Sequence, residues 1–430
     1  MTTAPFPDPD RVLRARTRPA QVDEDLLELL PTPSGVVAWV RGGDGLVGWG
    51  QAARLEVSGP ERFRRAEQWW RELQNRIEVH DEVGLPGTGP VVFASMAFAD
   101  EPGHSVLVVP RVVVGRSGGT TWVTEITVDE ESVTSTGPGR RRSPLMQPVQ
   151  PVRRCETVRY SEGRHPVTAY REAVRRAVDR MRGGELKKVV LAHDLVAVAD
   201  APVDPRFLLH NLAARYPSCW AFAVDGLVGA TPELLLRREN EAVSSRVLAG
   251  TSWPRDGVST DELARALLSS PKNLEEHEYA VRSLVETLQP LCSELTAPAT
   301  PHVLRLRNVL HLATDVHGRV ADPRTSLFRL AEAVHPTAAV GGTPREDAVR
   351  LIRELEGMDR GRYAGPVGWV DGNGDGELGL ALRCAQVEGR TVRLFAGCGI
   401  VADSDPETEV REAAAKLVPM RDALEGVDRA

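Results

Sequence analysis

The sequence has few cysteines and no long hydrophobic run. Its cysteines are scattered, and no two of them have the Cys-x-x-Cys spacing of redox and zinc motifs. An odd number of scattered cysteines is typical of a reducing compartment, so we expect a cytoplasmic protein. The longest apolar stretches fall far short of the roughly 20 residues that span a bilayer, and the first residues lack the pattern of a signal peptide. The sequence therefore predicts neither a membrane span nor secretion.

The sequence also lacks a surplus of positive charge. It contains 53 Lys and Arg against 60 Asp and Glu, a formal net charge of -7, so it has no basic footprint for nucleic acid. An anionic substrate would have to be bound by local cations, because the overall field repels it. The phosphate-binding P-loop pattern is absent as well, and we expect no nucleotide cofactor.

The chain divides by composition near residue 150. Its 430 residues suffice for one large unit of helices and strands or for two or three average domains. Residues 1–150 read mainly as strands, with one helix around 61–77 and a hairpin formed by 106–115 and 120–128. We expect this strand-rich subregion to belong to the same folded unit as residues 151–430.

Residues 151–430 alternate helices with paired strands. Turn signals between apolar segments occur at 225–226, 238–240 and 371–376. Strands that come in hairpins favour an antiparallel arrangement over the parallel sheet of doubly wound folds. We therefore predict an α+β fold with large antiparallel sheets packed with outer helices.

A lysine stands inside a stretch that otherwise reads as a buried strand. Lys188 belongs to the segment LKKVVLAH at 186–193, which follows a predicted helix over 166–181. A buried ammonium must be paired or lose its proton, and the second outcome is how an enzyme makes a lysine base. Two interpretations stay open here: a catalytic lysine, or an edge-strand lysine whose charged end reaches water.

Carboxylates occur at two predicted helix starts. Asn273 and Glu276 are spaced as the N-cap pair of a helix that runs to about residue 288, and Asp405 precedes a proline that begins another helix. On the second helix, Glu409, Glu412 and Lys416 follow at spacings of three and four and share a face. Caps and an i,i+4 ion pair would explain these residues structurally. Their oxygen atoms would equally suit Mg²⁺, which commonly takes one or two protein carboxylates.

Nine segments, taken in order, resemble the chorismate-utilising enzymes: isochorismate synthases, salicylate synthases, anthranilate synthase large subunits and aminodeoxychorismate synthases. The resemblance covers about residues 164–424. The segments are KKVVLA at 187–192, TPELL at 231–235, LAGT at 248–251, KNLEEH at 272–277, HPTAAVGG at 335–342, YAGPVG at 363–368, ALRCA at 381–385, AGCGI at 396–400 and SDPETE at 404–409. Nine ordered matches make chance agreement negligible.

The resemblance implies the two catalytic roles. Lys188 matches the lysine that activates water in isochorismate and salicylate synthases, where the ammonia-using anthranilate synthases typically carry Gln. Glu233 matches the acid that protonates the leaving hydroxyl. These roles require a neutral amine and a protonated carboxyl, and both demand burial. Without the motif, Glu233 would be read as an exposed strand residue.

The resemblance also implies a Mg²⁺ site and a substrate pocket. Glu276 and Glu412, with Glu409 in support, would hold the ion against the ring carboxylate of chorismate. Which of Glu409 and Glu412 contacts the ion directly is left open. The structural alternative for His335 is a place in the core, and the structural alternative for Arg383 is a strand-edge ion pair. The residues expected to bind the substrate are Gly250, Thr251, His335, Tyr363, Arg383, Gly397, Gly399 and Lys416.

Two further positions favour the isochorismate synthases within the family. Ala249 lies where aminodeoxychorismate synthases of the lysine-nucleophile type carry Lys, and Ala339 lies where pyruvate-eliminating members usually have Thr. We therefore expect Mg²⁺-dependent conversion of chorismate to isochorismate, by water attack at C2 with loss of the C4 hydroxyl. A salicylate synthase is the close alternative, and a non-catalytic binding protein of the same fold the distant one. We expect no glutamine amidotransferase partner and a monomer, although the sequence does not fix the oligomeric state.

Overall fold

The structure, a computed structural model, describes residues 12–128, 144–253, 257–306 and 309–426. The α-helices in these residues are α1 Arg62–Gln74, α2 Val167–Arg182, α3 Pro205–Arg215, α4 Thr260–Leu268, α5 Pro271–Leu288, α6 Leu327–Val334, α7 Arg345–Glu356 and α8 Pro406–Glu425. The strands are β1 Leu13–Pro19, β2 Val37–Arg41, β3 Asp44–Trp49, β4 Ala53–Val57, β5 Ile77–Asp81, β6 Val91–Ser95, β7 Ser105–Val109, β8 Val112–Ser117, β9 Thr120–Val128, β10 Val158–Glu162, β11 Lys188–Ala199, β12 Trp220–Val224, β13 Leu227–Thr231, β14 Leu234–Glu239, β15 Ala242–Ser252, β16 Cys292–Thr296, β17 His302–Leu306, β18 Val309–Val320, β19 Gly342–Thr343, β20 Pro366–Asp371, β21 Gly376–Leu380, β22 Cys384–Glu388 and β23 Thr391–Ile400.

The strands form two large sheets. A 13-stranded sheet has the order β10-β11-β23-β22-β13-β12-β2-β3-β8-β9-β1-β5, with β19 beside β11. A 10-stranded sheet has the order β16-β18-β15-β14-β21-β20-β6-β7-β4, with β17 beside β18. The long pairs β11–β23 and β15–β18 are antiparallel, whereas β1 and β5 are parallel. The predicted α+β fold with large antiparallel sheets is confirmed.

Strands from the first part of the chain lie in both sheets. In the larger sheet β2 pairs with β12, and in the smaller one β6 pairs with β20. The side chains of Trp39 on β2, Phe93 on β6 and Phe222 on β12 are almost fully buried in one hydrophobic core. Residues 12–128 therefore pack against the later strands in a shared hydrophobic core, and burial of these side chains stabilises the contact. The subdivision near residue 150 stays a prediction.

The predicted hairpins of the second part are confirmed. The β12–β13 turn contains Asp225 and Gly226, both with positive φ (50° and 78°), as tight two-residue hairpin turns require. Asn240, with φ 55°, makes the turn between β14 and β15. The segment at 371–376 connects β20 to β21. The predicted helices over 61–77 and 166–181 correspond to α1 and α2.

The segment 106–115 is two strands, which corrects the single strand predicted for it. It divides at Pro110, and β7 joins the smaller sheet while β8 joins the larger one. Proline has no N–H to donate to a sheet ladder, so it interrupts the pairing there. The hairpin predicted with 120–128 exists, but it contains only β8 and β9. Within the described residues, the helices are too short or too polar to cross a membrane.

Candidate active site

One cavity of about 240 Å³ collects nearly all of the predicted site residues. It lies where the start of β11, the end of β23 and a bulge in β15 face the first turns of α5 and α8. Cations and carboxylates dominate its lining, so charge controls what binds there. The predicted residues that line it are Lys188, Glu233, Gly250, Thr251, Glu276, Tyr363, Arg383, Gly397, Gly399, Glu409, Glu412 and Lys416.

Lys188 is the first residue of β11, inside the larger sheet. This strand pairs with β23 on one side and with β10 and β19 on the other. The Lys188 side chain is 13% exposed, and its Nζ donates to Glu276 Oε1 at 2.8 Å. The edge-strand interpretation is therefore wrong, because β11 has partners on both sides. Pairing with Glu276 offsets the free energy of burying the ammonium.

Gly399 leaves room for the end of the Lys188 side chain. It lies opposite Val190 in the β11–β23 ladder. A Cβ atom at Gly399 would stand 2.9 Å from Lys188 Cε and 3.5 Å from Nζ, closer than side chains normally approach. A side chain at this position would force the end of the lysine to shift.

Glu233 lies in the two-residue connection between β13 and β14. Its backbone N–H donates to Thr231 Oγ1 at 3.2 Å, and the residue is only 6% exposed. Burial raises the pKa of the Glu233 carboxyl to about 8, and the Lys188 charge opposes this only in part. The carboxyl is therefore mostly protonated at neutral pH and suited to donate a proton.

Two helix starts bring the other carboxylates to the cavity. Helix α8 begins after Asp405, whose side chain accepts from the Thr408 N–H, as the sequence predicts. Helix α5 begins earlier than predicted: its N-cap is Ser270, which accepts from the Asn273 N–H. The capping pair predicted from Asn273 and Glu276 is therefore wrong, because Pro271 already takes the first helical position. The side chain of Glu276 stays available to Lys188.

The carboxylates have unequal charge states. Burial and the neighbouring Glu412 raise the pKa of Glu409 to about 7. Burial also acts on Glu412, but the Lys416 ammonium, 2.6 Å away, holds the Glu412 pKa below its usual value. Burial acts on Glu276 in the same sense, and Lys188 outweighs it, so that the Glu276 pKa is lowered. The site thus combines two ionised carboxylates with one that titrates near neutrality.

This donor set fits a hard divalent cation. Single donor atoms of Glu409, Glu412 and Cys398 lie within 4.8 Å of one another, and Glu276 lines the same cavity from α5. A cation between the carboxylates would relieve the repulsion that raises the Glu409 pKa. Burial raises the pKa of the Cys398 thiol to about 12, which disfavours the thiolate that coordination by sulfur requires. Carboxylate oxygens alone are the donors that Mg²⁺ prefers.

Two cations lie beside the carboxylates, Lys416 on α8 itself and Arg383 in the connection between β21 and β22. Lys416 Nζ donates to the Gly397 carbonyl at 2.9 Å and pairs with Glu412. Arg383 has a positive φ of 47°, an uncommon backbone conformation for a side-chain-bearing residue. Burial lowers the Arg383 pKa, and the guanidinium has no ion-pair partner within the described part of the chain. A strand-edge ion pair therefore does not explain Arg383, whereas an anionic ligand would.

Gly250 and Tyr363 shape the cavity wall. Gly250 has φ 77° at a register shift between β15 and β18, and a Cβ there would contact Asn273 and Leu312 at 3.2 Å. The Tyr363 ring stacks on Phe395 with centroids 5.1 Å apart. Burial raises the Tyr363 pKa, which keeps its hydroxyl neutral.

Sequence reasoning missed His311, which also lines the cavity. It lies on β18, and its Nδ1 is 3.1 Å from Thr251 Oγ1, within hydrogen-bonding distance. Burial, with help from the charges of Arg383 and Lys416, lowers the His311 pKa to about 3. The ring is therefore neutral. A histidine within the apolar run at 309–313 was the available signal, but nothing local distinguished it from a core residue.

His335 does not line the cavity, which corrects the expectation for it. It follows the last residue of α6, its Nε2 donates to the Phe98 carbonyl at 3.1 Å, and its ring packs edge-on against Phe98. Burial and the Arg62 charge lower the His335 pKa to about 3. Aromatic packing and one backbone acceptor hold the imidazole in the core, where its Nδ1 has no hydrogen-bond partner within the described residues, so the core alternative describes its position.

A lysine, a buried acid and clustered carboxylates at one cavity of an α+β fold define an enzyme active site. Residues 40–425 match the family described as chorismate binding enzyme. The chain therefore belongs to the chorismate-binding enzymes.

The chain is similar in sequence to known relatives and similar in fold to solved structures. The chain is 39% identical over 272 residues to the isochorismate synthase DhbC of Bacillus subtilis, covering 60% of this chain and 68% of that protein. It is 39% identical over 259 residues to the isochorismate synthase EntC of Escherichia coli, covering 59% and 66%. The structure of the menaquinone-specific isochorismate synthase from Escherichia coli superposes with a TM-score of 0.78 at 24% identity, covering 96% of this chain and 95% of that one. At that identity the superposition establishes the fold.

Proposed function

We propose that the protein is an isochorismate synthase that requires Mg²⁺. In this reaction water adds at C2 of chorismate and the hydroxyl at C4 leaves as water, so the ring gains and loses one oxygen. The single observation that carries the proposal is that Glu233 is buried in the same cavity as Lys188, where burial raises the pKa of its carboxyl to about 8. One group accepts a proton while the other donates one.

Lys188 is the proposed base and Glu233 the proposed acid. Acting as a neutral amine, Lys188 would take a proton from the attacking water, and Gly399 opposite it leaves space for the end of the lysine side chain. Glu233 gives its proton to the departing C4 oxygen. Together the two proton transfers conserve charge, because Lys188 gains one positive charge and Glu233 gains one negative charge.

Glu276, Glu409 and Glu412 are the proposed Mg²⁺ ligands. When bound, the ion would supply positive charge that binds the ring carboxylate and accepts the negative charge developing as the ring rearranges. The support for this assignment is the proximity of Glu409 and Glu412 and the raised pKa that their repulsion helps produce in Glu409.

Arg383 and Lys416 are the proposed ligands of the substrate carboxylates. The planar guanidinium of Arg383 matches the two oxygens of a carboxylate, and it has no protein partner that would compete within the described residues. Lys416 remains bound to Glu412 and to the Gly397 carbonyl, so it contributes charge from a fixed position. Local cations thus offset the net charge of -7.

Two small residues support isochorismate as the released product. Ala249 and Ala339 line the cavity, so neither an amine nucleophile nor a threonine hydroxyl projects from these positions. The chain's cysteines are all free and buried, which fits the reducing cytoplasm that we propose as its compartment.

The test is a chorismate assay with and without Mg²⁺, resolved by chromatography. We expect isochorismate that depends on Mg²⁺ and forms equally with and without ammonia. Pyruvate and salicylate in equal amounts would instead identify a salicylate synthase, and anthranilate formed only with ammonia would identify an anthranilate-type enzyme. Binding of chorismate without any product would favour a non-catalytic binding protein.

A further inference from the structure

Glu233 lines two cavities. Besides the substrate cavity, it borders a small one of about 30 Å³ on its other side. Residues of β14, β15, α5 and the segment between α6 and β19 complete the lining of the small cavity. Ser283 and Thr287 on α5 are half-buried, so the cavity extends from the buried acid toward the protein surface.

One hydroxyl in the small cavity has no protein partner. Thr337 Oγ1 is buried and makes no hydrogen bond within the described part of the chain. The neighbouring hydroxyls of Ser245 and Thr287 donate to backbone carbonyls at 2.6 and 2.7 Å. Arg345 likewise donates to the Ala333 carbonyl. Because buried polar atoms are normally hydrogen-bonded, Thr337 is the group for which the cavity must provide a partner.

The cavity is large enough for that partner to be water. A buried water needs roughly 10–15 Å³ of such volume and two or more polar neighbours. The volume of about 30 Å³ meets the first condition. For the second condition, a water in this cavity would use Glu233 and the Thr337 hydroxyl, since both residues line it.

The proposed reaction gives this water a use. After each turnover Lys188 carries an extra proton and Glu233 has lost one, so both groups must be reset. The substrate cavity lies between them, and product or new substrate occupies it during the reset. A proton that reaches Glu233 from the small cavity does not have to pass the bound product or substrate.

We propose that Thr337 positions a water molecule against Glu233 in the small cavity and that Glu233 recovers its proton through this water. This inference rests on the proposed function. In the step, the water gives a proton to the Glu233 carboxylate and receives one from the solvent side of the cavity, so no atom or electron is gained or lost. Thr337 is a positioning residue, since it acts through the water and not on the substrate.

On the side of the small cavity, two charged groups lie near Glu233. Lys188 faces it across the substrate cavity, and Arg246 and Arg345 border the small cavity behind it. Arg246 is paired with Asp315, and Arg345 bonds to backbone carbonyls. Neither guanidinium gives up its proton at neutral pH, so a relay to Glu233 on this side must run through neutral groups.

The test compares Thr337→Val with Thr337→Ser and with the control Thr287→Val. Valine keeps the shape of threonine, and no protein hydrogen bond is lost, so we expect an unchanged melting temperature. We expect kcat of Thr337→Val to fall about tenfold with KM within twofold, a larger solvent deuterium isotope effect on kcat, and recovery in Thr337→Ser. Thr287 lines the same cavity, but its hydroxyl is already bonded to a carbonyl, so Thr287→Val should retain wild-type kcat.

A crystal structure tests the inference without any measurement of activity. We expect an ordered water between Glu233 and Thr337 in the wild type and in Thr337→Ser, and none in Thr337→Val. No water there in the wild type, or an unchanged kcat and isotope effect in Thr337→Val, would overturn the inference. Failure of the wild type to convert chorismate would refute the proposed function, while the ordered water would still decide whether Thr337 positions one.

Discussion

Lys188 and Glu276 form an ion pair across the cavity, with Nζ 2.8 Å from Oε1. The pair connects the first residue of β11 to the second turn of α5, and thus joins the proposed base to a proposed metal ligand. Both side chains are largely shielded, at 13% and 29% exposure, so removal of either charge leaves the other poorly compensated. Variants of Lys188 and Glu276 should therefore be compared with variants of neighbouring residues that do not take part in this ion pair.

Replacement of Lys188 tests the base. We expect Lys188→Ala to lower kcat by at least about 100-fold, because the variant lacks the amine proposed to accept the proton from water. Lys187→Ala is the matched control, since Lys187 is exposed and its Nζ lies over the Tyr279 ring. The measurement is isochorismate formation beside a circular dichroism spectrum. A Lys188→Ala enzyme with near-normal kcat would refute the base assignment.

The pH dependence of kcat tests the acid. Glu233 acts only when protonated, and its pKa is raised to about 8. Activity that depends on this proton is therefore present below about pH 8 and declines as the pH rises through that value. We expect Glu233→Gln to lose at least about 100-fold in kcat, because an amide cannot donate a proton to the leaving oxygen. An alkaline limb that persists unchanged in the residual activity of Glu233→Gln would assign that limb to another group.

Removal of divalent cations should abolish activity. We expect EDTA to eliminate isochorismate formation and added Mg²⁺ to restore it, and Glu412→Gln to raise the Mg²⁺ concentration needed by about tenfold or more. Glu278→Gln is the control on α5, because Glu278 is exposed and pairs with Arg282. Activity that survives exhaustive chelation would contradict the metal assignment. Mg²⁺ titrations of initial rate provide the measurement.

Gly399 offers a test of geometry alone. In Gly399→Ala the new Cβ would meet Lys188 Cε at 2.9 Å, and the flexible lysine would shift. We expect kcat to fall by about 10- to 100-fold with little change in melting temperature, since a displacement of about 1 Å can cost two orders of magnitude. Gly372→Ala serves as the comparison, because the nearest atom to its Cβ would be 3.7 Å away. Equal kcat in the two variants would show that the close approach is not needed.

His335 should matter for stability and not for substrate binding. His335→Leu removes the hydrogen bond to the Phe98 carbonyl, and we expect it to lower the free energy of unfolding by about 1–3 kcal/mol. The KM for chorismate should be unchanged at temperatures where the variant is folded. Thermal melts and Michaelis curves measure the two effects separately. A raised KM with unchanged stability would return His335 to the substrate site.

The sequence predicted which residues share the cavity better than it predicted the start of α5 or the place of His335. Lys188 could be found because a lysine is unusual within an apolar strand and recurs in a family pattern, whereas Glu233 could be found only from the family pattern. Asn273 could not be excluded as a helix cap, since Ser270 and Pro271 form an equally good start and only packing decides between them. His335 fits the same pattern as its neighbours, but tertiary packing turns its ring toward Phe98. His311 gave no local signal, because its role depends on strands far apart in the sequence.

Each of the two sheets contains strands from residues 12–128 and strands from later in the chain, and this affects how a shortened chain would behave. The proposed catalytic residues all follow residue 187, yet a fragment that starts at residue 144 would leave the β2-facing side of β12 and the β6-facing side of β20 without partners. Two open rows of N–H and C=O groups would recruit strands from other chains. Residues 12–128 thus protect the catalytic part from self-association, and the two parts should gain or lose their solubility together.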